Sequence, residues 1–163
     1  MILRSAEIRP DQTGHEAGME LLDKMYRELM GEPMPAIAVT EKGKPYFVEG
    51  DLHFSVSHTA RRVFCVLAEC PVGVDAEEED QEVDLSLADK ILSPREREQF
   101  DLVEDPRQAL LAFRVLKEAA AKCRGEGLQA YPADTNFYLF DPRVMVRDGC
   151  VVAAIEDWRK EYV

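Results

Sequence analysis

Apolar positions along the chain switch between two periods, and the switches mark its elements. Ile2 to Ile8 alternates weakly and predicts a strand, followed by a turn over Pro10 to Gly14. From His15 to Met30 the apolar residues Met19, Leu22, Met25, Tyr26 and Met30 recur at a helical spacing. That methionine-bearing stripe reads as core rather than as a binding surface. Gly31 to Pro35 breaks the helix, Ala36 to Thr40 suits a short strand, and Glu41 to Pro45 suits a turn. In His53–His58, Phe54, Val56 and His58 share one strand face and Ser55 and Ser57 the other. Val63 to Ala68 is a continuous apolar run, which predicts a strand buried on both faces. Cys70 and Pro71 then turn the chain into a further strand, Val72 to Glu77.

The second half has helical grammar. Ser93-Pro94-Arg95-Glu96 is a capping box with proline at the first helical position. Asp105-Pro106-Arg107-Gln108 repeats it, with Asp105 as cap, and opens a helix free of Gly and Pro from Ala109 to Arg124. Phe113, Leu116, Ala119, Ala120 and Cys123 form the stripe that would seat this helix on a sheet, and Gly125-Glu126-Gly127-Leu128 would end it. Thr135–Phe140, Val144–Val146 and Val151–Ile155, with turns at Asp141-Pro142 and Asp148-Gly149, predict a β-meander. No repeat or low-complexity segment is visible.

The chain has 163 residues, 46% hydrophobic and 32% charged, which suits one globular domain with a core. No apolar run reaches membrane-spanning length, and the N-terminal residues lack the apolar stretch of a signal peptide. Cys65, Cys70, Cys123 and Cys150 have no metal-binding spacing and read as reduced cytoplasmic thiols. A net charge of −12 argues against nucleic acid as a partner. Any site for an anionic ligand must therefore rest on local cations or a metal rather than on the overall field.

Two stretches carry the candidate chemistry. In Gly73-Val74-Asp75-Ala76-Glu77 the strand period puts Asp75 and Glu77 on one face, about 6–7 Å apart, where they could share one hard cation. In the helix, Glu118 and Lys122 are four residues apart and lie on one face. Glu118 could add a third oxygen, with Lys122 a positive charge one turn on, a set that suits a magnesium-bound phosphate. Singly, each pattern is commonest as a solvated surface; the joint pattern is what points to a site. Glu78 onward in the acidic run reads as a solvated loop.

Gly-Val-Asp-x-Glu, followed about forty residues later by aromatic-x-x-x-Lys-Glu-Ala-x-x-Lys, resembles the signature of the 4′-phosphopantetheinyl transferases. His53-Phe54-Ser55-Val56-Ser57-His58-Thr59 and the upstream Gly43-Lys44-Pro45 resemble the surfactin-type branch. The likeness runs from about Gly43 to Leu128. It implies an α+β fold of two similar α/β halves related by a pseudo-twofold. The halves would span about residues 1–71 and 72–163 of a single domain, meeting near Pro71, in a monomer. It also implies transfer of the 4′-phosphopantetheine arm of coenzyme A to a serine of an acyl or peptidyl carrier protein, with Mg2+, releasing 3′,5′-ADP. Asp75, Glu77 and Glu118 would hold the metal, Lys122 a phosphate oxygen, and Lys44, Ser57 and His58 the remaining phosphates. The carrier would dock beside the helical stretch from Leu85 to Phe100.

Some roles stay open at this point. Lys117 points about 100° round the helix from Glu118; it either reaches phosphate with its long stem or is a surface charge. The proton acceptor is Glu96, Glu118 or a metal-bound water, although the capping box already gives Glu96 a sufficient structural task. His53 reads as structural. Asp11 to Glu16, aligned with a basic stretch that grips the 3′-phosphate in the branch, holds no Lys or Arg, which predicts a weaker grip on that end of the cofactor. Ala76 stands where a larger aliphatic residue is usual, a matter of packing. Two alternatives remain: a non-catalytic relative that binds carrier protein or coenzyme A, and a magnesium-dependent phosphohydrolase of nucleotide pyrophosphates.

Overall fold

The apolar run expected to be buried on both faces is β5 (Arg62–Ala68), the central strand of the first sheet, and the layers follow from it. The computed structural model describes residues 1–126 and 135–156. The first sheet has the order β1-β5-β4, all antiparallel, with β1 at Ile2–Glu7 and β4 at His53–His58. Val63, Cys65 and Leu67 face one way, onto Leu22, Met25 and Tyr26 of helix α1 (Gly14–Met30). Phe64, Val66 and Ala68 face the other way, onto a second sheet.

That second sheet has the order β6-β8-β7, from Val72–Glu78, Cys150–Glu156 and Val144–Arg147. Val72, Val74 and Ala76 of β6, with Cys150, Val152 and Ala154 of β8, fill the layer between the sheets. On the far side lies the helix from Pro106 to Arg124. Before it come β2 (Ile37–Val39), β3 (Pro45–Phe47), a 3-10 turn at Leu85–Leu87, α2 (Ala88–Ile91) and α3 (Pro94–Phe100), so it is α4. Leu116, Ala119 and Cys123 of α4 pack with Val151, Ala153 and Ile155 of β8. The result is helix, sheet, sheet, helix, a mixed α+β architecture in which each sheet supports one long helix. Among the described residues, both sheets place their strands in the order first, last, middle along the chain.

The sheets are also joined edge to edge. Ser55 and Ser57 alternate into the inter-sheet layer, where apolar side chains would be ordinary, and both are buried. The backbone N–H groups of Val74 and Ala76 donate to their hydroxyls at 3.1 and 3.2 Å, so two serines of β4 satisfy the exposed edge of β6. The motif serines thereby have a structural task that no periodicity announces.

Two expectations change. The turn over Glu41 to Pro45 leads into β3, which pairs with β2 as a small hairpin. Thr135–Phe140 is not a strand. Its amides are taken by side chains of α3: Phe137 N donates to Glu96 Oε2 at 3.0 Å and Leu139 N to Gln99 Oε1 at 2.9 Å. Those bonds replace a β-ladder, and the expected meander reduces to the β7–β8 hairpin. Its Asp148-Gly149 turn has φ of 52° and 76°, as a two-residue turn matched to strand twist requires. Gly127 and Leu128, expected after the end of α4, lie outside the described residues. The four cysteines are unbridged. Among the described residues no helix is long and apolar enough to cross a membrane.

Candidate functional site

Because β6 alternates, Gly73, Asp75 and Glu77 all stand on the face covered by α4, opposite Ile155, Ala153 and Val151 of β8. Gly73 sets the distance. A Cβ there would lie 2.0 Å from the carbonyl oxygen of Ala119 and 2.5 Å from the amide nitrogen of Cys123. The helix backbone rests directly on the strand, and only glycine permits that approach. Ala119 and Cys123 are the chain neighbours of Glu118 and Lys122, so the same contact delivers both side chains to the carboxylates of β6.

Asp75, Glu77 and Glu118 each offer a carboxylate oxygen within 4.8 Å of the others. Asp75 is only 4% exposed. Its Oδ1 accepts from Ser57 Oγ at 3.2 Å and from Lys122 Nζ at 3.1 Å, while its Oδ2 is buried and accepts no hydrogen bond. Burial pushes the Asp75 carboxyl well above the ordinary carboxylate range; the Lys122 ammonium opposes this, and the neighbouring Glu118 reinforces it. Glu77 is steadied by Gln81, whose Nε2 donates to Oε2 at 2.8 Å. Arg114, one turn before Glu118 on α4, lies 3.4 Å from Glu77 Oε1 and 3.5 Å from Glu118 Oε1.

A buried anionic oxygen without a partner is costly unless a cation completes it. Three converging carboxylates are an all-oxygen donor set, the chemistry that hard divalent ions such as Mg2+ take. The residues present therefore fit such an ion, with Asp75 Oδ2 as the oxygen left to bind it.

The other motif residues fall into three groups. Lys122 and Ser57 both hold Asp75: besides its contact with the carboxylate, Lys122 Nζ donates to Val74 O at 3.0 Å. Lys44 Nζ donates to Cys123 O at 2.9 Å, at the C-terminal end of α4, and burial lowers the pKa of its amine. His58 is exposed at the end of β4, its ring packed over Gly14 in the first turn of α1, where an added Cβ would lie 2.4 Å from Nδ1. Arg9, beside the acidic Asp11–Glu16 stretch, is held by both oxygens of Glu20 at 3.1 Å.

Lys117 and Glu96 form the third group, away from solvent altogether. Of the two readings left open for Lys117, the surface charge does not hold: both residues are 0% exposed, and Lys117 Nζ lies 2.7 Å from Glu96 Oε1. Lys117 also donates to Thr135 O at 3.3 Å, and Glu96 accepts from Ser93 N at 2.8 Å as well as from Phe137 N. The pair ties α3, α4 and the 135–137 segment together. Removing one partner strands a buried charge. Lys117→Met is therefore expected to cost about 3–5 kcal/mol in urea denaturation, and adding Glu96→Gln should recover much of it. An unchanged midpoint in the single variant would show that the pair does not hold these elements.

Sequence reasoning did not single out Arg114 or Gln81. Arg114 was findable, since it precedes Glu118 by four residues on a helix already read as presenting that face. Gln81 sits in the stretch read as a solvated loop, and nothing in the pattern marked it.

A family model for the 4′-phosphopantetheinyl transferase superfamily matches residues 71–149, a stretch that contains β6, α4 and the whole acidic trio. A 4′-phosphopantetheinyl transferase gsp of Aneurinibacillus migulanus is 32% identical over 90 residues, covering 54% of this chain and 37% of that protein. A 4′-phosphopantetheinyl transferase of Bacillus subtilis is 29% identical over 103 residues, 61% of this chain and 45% of that protein. The 4′-phosphopantetheinyl transferase psf-1 of Bacillus pumilus is 31% identical over 118 residues, 68% of this chain and 49% of that protein. The matches thus span less than half the length of each of these curated relatives. The matched stretch brings together the strand Asp-x-Glu and the helical Lys-Glu-Ala-x-x-Lys, and over it the chain is similar to the 4′-phosphopantetheinyl transferase superfamily.

Proposed function

We propose that the chain transfers the 4′-phosphopantetheine arm of coenzyme A to a serine hydroxyl of an acyl or peptidyl carrier protein, with Mg2+. The observation that carries this reading is the convergence of Asp75, Glu77 and Glu118, each with a carboxylate oxygen within 4.8 Å of the others, in the stretch matched by the family model. The serine oxygen would attack the phosphorus that bears the pantetheine arm. The bridging P–O bond would break, 3′,5′-ADP would leave, and the serine proton would pass to a base.

Asp75, Glu77 and Glu118 would hold the Mg2+, which when bound neutralises charge on the pyrophosphate and its leaving oxygen. The chain's own residues organise the rest. Ser57 and Lys122 fix Asp75 from two sides, and Lys122 keeps a positive charge beside the phosphate position. His58, at the end of β4, and Lys44 would be contacts for the remaining phosphates; Lys44 would give up its bond to Cys123 to serve. Glu96 is enclosed in its pair with Lys117, which supports a structural role and leaves Glu118 as the carboxylate able to take the serine proton. The two sheets, each with its long helix and the same strand order, support a pseudo-twofold relation between halves that meet near Pro71 in a monomeric single domain.

The test is the intact mass of an apo carrier protein after incubation with the chain, coenzyme A and Mg2+, with and without a chelator. The expected result is a gain of roughly 340 Da, one phosphopantetheine arm, lost on chelation. No gain with several carriers, while coenzyme A binds, would favour the non-catalytic relative. Release of 3′,5′-ADP without any carrier would favour the phosphohydrolase.

A further inference from the structure

We propose that Arg114 is a resident counter-cation of the acidic trio, competing with a divalent ion for Glu77 and Glu118 and leaving when that ion binds. The inference rests on the metal reading given above, and it concerns a residue to which no role has been assigned.

The guanidinium of Arg114 lies between two of the three carboxylates, 3.4 Å from one and 3.5 Å from the other. The third, Asp75, is answered by Lys122. Among the described residues these two cations meet the three carboxyl groups, which offsets the repulsion of acids within 4.8 Å of one another. A divalent ion held by the same oxygens would sit within a few ångströms of the guanidinium, and the two positive groups repel. One side of this arrangement can move. The Arg114 side chain is 30% exposed on a long stem, and its contacts with the two acids, at 3.4 and 3.5 Å, are longer than the 3.0 and 3.1 Å bonds of Lys122. Displaced toward solvent, the planar guanidinium would remain at the rim of the site, shaped to meet the phosphate oxygens that the ion brings. Gln81, on the other oxygen of Glu77, is neutral and need not move.

The experiment titrates Mn2+ alone into the full chain, following free Mn2+ by electron paramagnetic resonance, and records thermal transitions with and without the ion. Arg114→Met and Arg114→Gln are both expected to bind Mn2+ roughly tenfold more tightly than the parent. Without metal they should melt earlier than the parent, and Mn2+ should close that gap. Arg114→Lys, which keeps the charge, should stay near the parental affinity. Equal or weaker Mn2+ binding in both neutral variants would overturn the proposal and make Arg114 an organiser of the carboxylates. Glu118→Gln separates this failure from a failure of the metal reading: if that variant binds Mn2+ as the parent does, the trio is not the metal site and both ideas fall.

Discussion

Glu118→Gln is expected to reduce phosphopantetheine transfer to a carrier protein by about 100-fold or more while the folded state survives. The substitution keeps the shape of the side chain and removes one anionic oxygen from a set of three. Losing a partner that merely orients a metal ligand typically costs 10–100-fold, so on the proposed metal reading the loss of Glu118 should lie at or beyond the upper end of that range. Stability should change little. Glu118 gives up an ion pair with Arg114 at 3.5 Å on a partly exposed helix face, an interaction of small net value. A glutamine amide can still meet the Asp75 carboxyl, whose neighbours Lys122 and Ser57 stay in place. The checks are initial rates of carrier modification at saturating Mg2+ and a thermal transition. Unchanged turnover would remove Glu118 from the site, and a collapsed transition would make the helix face structural.

Gly73→Ala should have the largest effect on the fold and should abolish the site with it. The new methyl group would sit 2.0 Å from the Ala119 carbonyl oxygen and 2.5 Å from the Cys123 nitrogen. Both are helix backbone, which cannot swing aside as a side chain can. Either α4 lifts off β6 or the strand bends, and overpacking of this kind costs about 3 kcal/mol or more where no side chain can yield. Chemical denaturation should show that loss as a lower midpoint with a similar slope. Because Glu118 and Lys122 flank the contact, a displaced helix would also separate them from Asp75. Mn2+ affinity should therefore fall in whatever fraction stays folded. A variant with parental stability and metal affinity would show that the helix does not rest on the strand at this point.

The elements that were legible in the sequence are those whose signal is local. Ser93-x-x-Glu96 closes as a capping box and α4 starts at its Asp-Pro cap, because each cap involves residues within one turn. β5 reads as buried on both faces because both of its faces are apolar, whatever covers them. Thr135–Phe140 failed for the converse reason. It has strand composition, but its amides are claimed by Glu96 and Gln99, about 40 residues earlier in the chain, and no window of local sequence contains that competition.

The same division runs through the site. The sequence by itself determined which groups are available: Asp75 and Glu77 in phase on one strand, and Glu118 and Lys122 in phase on one helix, since both periods are properties of the backbone alone. Only the tertiary structure decided what each group faces. It brought the helix down onto Gly73, left Asp75 Oδ2 buried without a donor, and turned Lys122 and Ser57 into supports for that carboxylate. It buried Lys117 against Glu96 one residue away from Glu118, because a rotation of about 100° on the helix carries a side chain from the acidic cluster into the core. And it set Arg114 between two acids, because strand and helix meet there, a juxtaposition that depends on packing between segments distant in sequence and on no pattern within either.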